Sequence, residues 1–143
     1  MKRLSHQVEL FVKANPLTLW QIIGSGKDVD KWLAPIKSCR VEGNKRYCTM
    51  EDGTLEEEIL ESNSETMTFR YLIPQQHLLP VENIEGTMQV KPVDEEHSKI
   101  TWQWSFDAEV TNLEAVQTGF NHIGEMGIRG IETLANQKQM QSA

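Results

Sequence analysis

Residues 99–134 read KITWQWSFDAEVTNLEAVQTGFNHIGEMGIRGIETL, and the fold turns on the change of period inside this stretch. From Lys99 to Val110, Ile100, Trp102, Trp104 and Phe106 alternate with Thr101, Gln103 and Ser105, the repeat of a strand with one buried face. From Asn112 onward, Leu113, Val116, Phe120, Ile123, Gly127, Ile131 and Leu134 recur at threes and fours. That spacing lays an apolar stripe along a long helix. Asn112 suits the N-cap and Glu114 the first turn.

Upstream, the signals are mostly those of strands. Val8, Leu10 and Val12 alternate with Gln7, Glu9 and Phe11 over residues 6–13. Asn15-Pro16 then opens a short helix through Leu17, Trp20 and Ile23, which Gly24-Ser25-Gly26 ends. Asp28 is expected to cap a second short helix through Trp32 and Leu33, stopped by Pro35. Strands are expected over 36–42, 46–50, 54–60, 66–73, 83–90 and 99–110. Gly43-Asn44 and Asp52-Gly53 mark tight turns, and residues 74–80 form a loop. The order is strand, two short helices, six strands, long helix. A run of antiparallel hairpins with one terminal helix has to cover one sheet face with that helix, an α+β arrangement.

The chain of 143 residues fits one domain, residues 1–143, and can bury a core without disulfides or metals. Its net charge of -7 disfavours nucleic acid and anionic membrane as main partners, since both need a positive face. Nothing approaches the length of a transmembrane span and no signal peptide is visible, so a cytoplasmic location is expected. Cys39 and Cys48 flank a turn that could bring them together. Two thiols in such a domain are expected to be reduced core residues.

Several pieces, in order, carry a resemblance. They are Val8–Val12 with Asn15–Trp20; Asp30-Lys-Trp32 with Pro35; and Arg46 ahead of Asp52–Glu57. Tyr71–Ile73, Leu79-Pro80, Gly86–Met88 and Ile100–Phe106 complete the set. Together they resemble the polyketide cyclase/dehydrase branch of the START-like, helix-grip (SRPBCC) superfamily over nearly the whole chain. The resemblance implies a curved antiparallel sheet of about seven strands wrapped around the C-terminal helix, with an internal apolar cavity. It transfers a fold rather than a reaction, because the superfamily shares no catalytic residue. One departure is the helix, where Gly119, Gly124, Gly127 and Gly130 exceed the usual glycine content. Each costs about 1 kcal/mol against Ala on an exposed helix, so they need a reason. Close approach to the sheet is one, and room for a bound molecule is another.

The sharpest polar expectation joins Arg46 and Glu57. Leu55, Glu57 and Ile59 share one strand face, and Arg46, Cys48 and Met50 share a face of the neighbouring strand. An inward Arg46 opposite an inward Glu57 would form a bidentate pair able to orient a ligand carbonyl or carboxylate. Glu57, Arg46 or Tyr71 could instead move protons. The plain alternative is a buried pair that only sets strand register. The expected cavity wall comprises Trp32, Tyr71, Ile73, Trp102, Trp104 and Phe106, with Phe120, Ile123, Gly124 and Gly127 from the helix. The alternative for these aromatics is ordinary core filling.

Neither the four histidines nor the cysteines have metal-ligand spacing, so no metal is expected. No phosphate-binding glycine loop, dinucleotide fingerprint or serine elbow is present, so no cofactor is expected either. Three functions compete. The first is binding or carriage of a small apolar or amphipathic, lipid- or polyketide-like molecule in a cavity of hundreds of cubic ångströms. The second is a cofactor-free cyclase, dehydrase or isomerase, and the third a protein-interaction module, with homodimerisation left open. The polar outward residues Glu56, Glu58, Gln103 and Ser105 speak against an apolar docking patch.

Overall fold

The computed structural model describes residues 1–141. Seven strands form one antiparallel sheet: β1 (Lys2–Val12), β2 (Ser38–Glu42), β3 (Lys45–Met50), β4 (Gly53–Asn63), β5 (Thr68–Ile73), β6 (Val81–Pro92) and β7 (Ser98–Ala108). Their order across the sheet is β1-β7-β6-β5-β4-β3-β2. From β2 to β7 each strand therefore pairs with its successor, as the successive turns require. Only β1 reaches across the chain, pairing along its whole length with β7. Register shifts between Ile59 and Glu61 and between Glu82 and Glu85 interrupt the ladders. Such irregularities bend strands and help curl the sheet.

Helix α1 (Pro16–Gly24) begins as the sequence suggests. The Asn15 side chain accepts a hydrogen bond from the Thr18 N–H at 3.1 Å, and Pro16 takes the first turn. The second short helix is reduced to one 3-10 turn, Val29–Lys31. Asp28 makes no side-chain cap there. It lies in the left-handed region at φ 59° and pairs with Lys31 at 3.7 Å instead. Helix α2 (Leu113–Gln141) is entered through another 3-10 turn, Val110–Asn112, so Asn112 belongs to that turn rather than standing as a simple cap.

The apolar stripe of α2 packs Val116, Phe120, Ile128 and Ile131 against the concave face of the sheet, all essentially inaccessible. Aromatic rings continue the core. Trp104 stacks on Phe120 at 4.6 Å between centroids, and Phe106 lies 5.1 Å from the same ring. The helix glycines mark close approach. A Cβ at Gly127 would stand 2.7 Å from the Trp102 ring, and one at Gly130 would stand 1.9 Å from the backbone oxygen of Trp32.

The convex face is polar. Arg70 pairs with both Glu61 and Glu85, and Glu9 faces Lys91 and Lys99. Among the described residues, no helix is long and apolar enough to cross a membrane.

Cys39 and Cys48 are direct cross-strand partners on β2 and β3 and form a disulfide. This corrects the expectation of two reduced thiols: antiparallel register brings the two residues face to face, with Cα atoms 4.3 Å apart.

Candidate functional site

Strand alternation turns Arg46 on β3 and Glu57 on β4 to the same inner face, and the register places them opposite each other. Arg46 Nη2 donates to Glu57 Oε1 at 2.7 Å, with both side chains over 90% buried. The contact is a single bond, not the expected two-pronged fork. The second guanidinium bond goes from Nη1 to the Gly26 carbonyl at 3.2 Å, which ties the strand to the loop after α1. The guanidinium also lies 5.3 Å from the centre of the Tyr71 ring and 5.2 Å from that of Phe69. Arg46 Nε is buried with no partner.

Next to this pair, on β5, stands Tyr71. Its hydroxyl accepts from Trp102 Nε1 at 3.0 Å. Burial, and then the negative charge of Glu57, push this hydroxyl well above the usual phenol range. Tyr71 therefore keeps its proton and stands in the wall as a hydrogen-bonding group. Trp32, from the 3-10 turn before β2, completes the aromatic wall, edge-on to Trp102 at 5.9 Å and 67°. Its indole N–H is the second buried donor without a partner.

These groups border a cavity of about 140 Å³ between the sheet and α2. The volume falls below the hundreds of cubic ångströms expected, because Trp32, Trp102, Trp104 and Phe120 fill much of the space they enclose. Trp32, Arg46, Glu57, Tyr71 and Ile73 line the cavity, as do Trp102, Trp104, Phe120 and Ile123. Three expected residues do not. Phe106 is fully buried behind Phe120, while Gly124 and Gly127 lie under Val8, Trp104, Trp102 and Trp32. Gly124 thus makes room for Val8 and Trp104, and Gly127 for Trp102 and Trp32, rather than for a bound molecule.

A family model described as polyketide cyclase / dehydrase and lipid transport matches residues 3–135. The chain belongs to this polyketide cyclase/dehydrase and lipid transport family. Solved structures share its helix-grip fold. A protein from Bacillus thuringiensis is 22% identical with a TM-score of 0.81, over 92% of this chain and 98% of its own. The protein XoxI from Bacillus cereus is 26% identical with a TM-score of 0.76, over 97% and 99% of the two chains. Norcoclaurine synthase from Thalictrum flavum, at 13% identity and a TM-score of 0.73, covers 93% of this chain and 86% of its own. At that identity the likeness is one of fold. No curated protein matches the sequence.

In this family member, the loop over residues 74–80 is held at the cavity by contacts that the sequence reading did not foresee. Gln76 in the β5–β6 loop clips that loop on itself. Its amide donates to the carbonyls of Leu79 and Val81 and accepts from the N–H groups of Leu78 and Leu79, all within 2.9 Å. The clip holds Leu78 and Leu79 at the cavity, with Leu79 packed onto Gly119 of α2. His77, in the same loop, reaches Asp52 of the β3–β4 turn at 2.9 Å, which ties two rim segments together. Met126, three residues beyond Ile123, also lines the wall, as its helical spacing would have suggested. His122 is exposed, and His6 meets Asn121 Oδ1 at 2.6 Å. Among the described residues, no three His, Cys, Asp or Glu side chains gather as a metal would require.

Proposed function

We propose that this family member binds or carries one small, apolar or aromatic molecule in the cavity between its sheet and α2. The observation that carries the reading is the cavity itself. Apart from Gln76, whose amide is consumed in its own loop, its wall is apolar or aromatic with one internally compensated ion pair. A fully structural interior would leave no such space. The family description, which includes lipid transport, agrees with this reading.

Carriage is favoured over proton transfer by the state of the polar groups. The carboxylate of Glu57 is already engaged by Arg46, and Tyr71 holds its proton. Neither is poised as a general base. Native mass spectrometry of freshly purified protein, joined to thermal melts with a panel of ring compounds, tests the reading. A retained small molecule, or a rise in Tm of several degrees with at least one compound, is expected by linkage. An empty protein whose Tm no compound raises would rule it out.

A further inference from the structure

Glu57 uses only one of its two carboxylate oxygens. Oε1 accepts from Arg46 Nη2 at 2.7 Å, while Oε2 takes no hydrogen bond. Among the described residues, the side-chain atoms both sealed from water and unpartnered are Trp32 Nε1 and Arg46 Nε. Oε2 is not one of them, so it keeps an open face. The register with Arg46 turns Glu57 to the inner side of β4, where it is 5% exposed and borders the cavity. The space open to Oε2 is therefore the cavity itself. A carboxylate oxygen accepts up to about two hydrogen bonds, and one held inside a protein without any is costly.

The other side-chain oxygens of the wall are occupied. The Gln76 oxygen takes the N–H groups of Leu78 and Leu79. The Tyr71 oxygen accepts from Trp102 Nε1 and lies against Gly86, where an added Cβ would stand 2.4 Å from it. Oε2 is thus the side-chain acceptor that the wall offers an occupant. Charge narrows the choice. Arg46 already balances Glu57, so a second cation would enter an apolar cavity beside a guanidinium, with no carboxylate of its own. An anion would meet Oε2 and find no donor on Arg46, whose Nη1 and Nη2 are engaged and whose Nε is sealed off. Size adds a third limit, because about 140 Å³ is room for roughly one six-membered ring with few substituents.

We infer that the cavity selects a neutral, single-ring molecule bearing a hydroxyl group, a phenol or cyclic alcohol in type, whose O–H donates to Glu57 Oε2. The inference rests on the ligand-binding reading above and names the class of molecule it concerns. A hydroxyl given to a carboxylate makes one of the shorter and stronger hydrogen bonds. The bond from Arg46 Nη2 holds the carboxylate in place to receive it.

The test compares two near-isosteric probes, phenol and toluene, by calorimetric titration at neutral pH. Each is titrated into the wild type and into Arg46→Met/Glu57→Leu, which removes the acceptor without stranding a charge. In parallel, the Glu57 side-chain carboxyl ¹³C signal, assigned through its own backbone, is followed in the wild type with each probe. The ratio of phenol to toluene affinity should be about tenfold or more higher in the wild type than in the double variant, the order expected for one hydrogen bond to a charged group. The Glu57 carboxyl signal should move with phenol and stay in place with toluene. Because the calorimetric readout is a ratio within one protein, a change of cavity shape common to both probes does not imitate it. The carboxyl signal is read in the wild type, so it decides the matter even if the variant fails to fold. An equal ratio in the two proteins, or a carboxyl signal indifferent to phenol, overturns the inference and leaves the ligand-binding reading standing. Binding of neither probe to the wild type also overturns the inference. Failure of the whole ring panel and an empty mass spectrum overturn the ligand-binding reading as well.

Discussion

Arg46 and Glu57 are opposite one another across β3 and β4, and their side chains meet on the inner face at 2.7 Å, almost wholly out of water. Removing one partner strands the other. Arg46→Met should cost about 3–5 kcal/mol, because Glu57 would be left buried without its partner. The double variant Arg46→Met/Glu57→Leu should regain most of that loss. Urea denaturation of the two single variants and the double variant gives the coupling. A single variant losing less than about 1 kcal/mol would show that the pair is not buried as described.

Tyr71 predicts an alkaline limit to stability. Its folded pKa is raised, by burial first and by Glu57 second. Above the ordinary phenol pKa near 10, the unfolded chain releases this proton while the folded chain keeps it. Stability is therefore full below that pH and declines as pH rises toward the folded value. In Tyr47→Phe, Tyr71 is the remaining tyrosine. Its phenolate absorbance should lag behind that of free tyrosine and appear in step with unfolding. Ionisation at the free-tyrosine pH in a folded protein would contradict the burial.

Asp52 predicts an effect at the acid end. The hydrogen bond from His77, followed by one from its own backbone N–H, holds its carboxyl below the usual aspartate range. The contribution of this contact is present above the unfolded pKa and is lost as pH falls through the folded one. Carboxyl ¹³C titration should find Asp52 low in the wild type and back near its ordinary value in His77→Ala. No difference between the two would mean that the rim segments are not joined.

Gly130 offers a test whose sign is decided by packing. On an exposed helix, Gly→Ala stabilises by about 1 kcal/mol. Here the added Cβ would fall 1.9 Å from the Trp32 carbonyl oxygen, a backbone atom that cannot swing aside. Gly130→Ala should therefore destabilise by at least about 1–3 kcal/mol, as overpacking does. A stabilised variant, measured by denaturant melting, would remove the explanation given for this glycine.

Strand alternation and hairpin turns made the sheet legible. Val8–Val12, Ile100–Phe106 and the two glycine turns each state their geometry locally, and α2 announces itself by spacing alone. The Arg46–Glu57 pairing was legible for the same reason, since a two-residue period and one turn position determine it. Less local features were not. Whether Gly127 faces a ligand or an indole depends on a tryptophan 25 positions away in sequence, which only packing places. The Asp28 turn failed as a helix because a left-handed residue leaves no room for a cap. The Gln76 clip has no periodic signal at all, since its four bonds arise from loop conformation. The cysteines were visible as hairpin neighbours, but register in space, rather than spacing in sequence, brought them opposite one another.

Three of the four tryptophans border one small cavity, with Trp102 between Trp32 at 5.9 Å and Trp104 at 4.9 Å. Rings this close exchange excitation, so light absorbed by any of them is shared among all three before emission. A molecule bound there, as proposed above, would border all three rings, so the colour and intensity of the ultraviolet fluorescence would report its presence without a label.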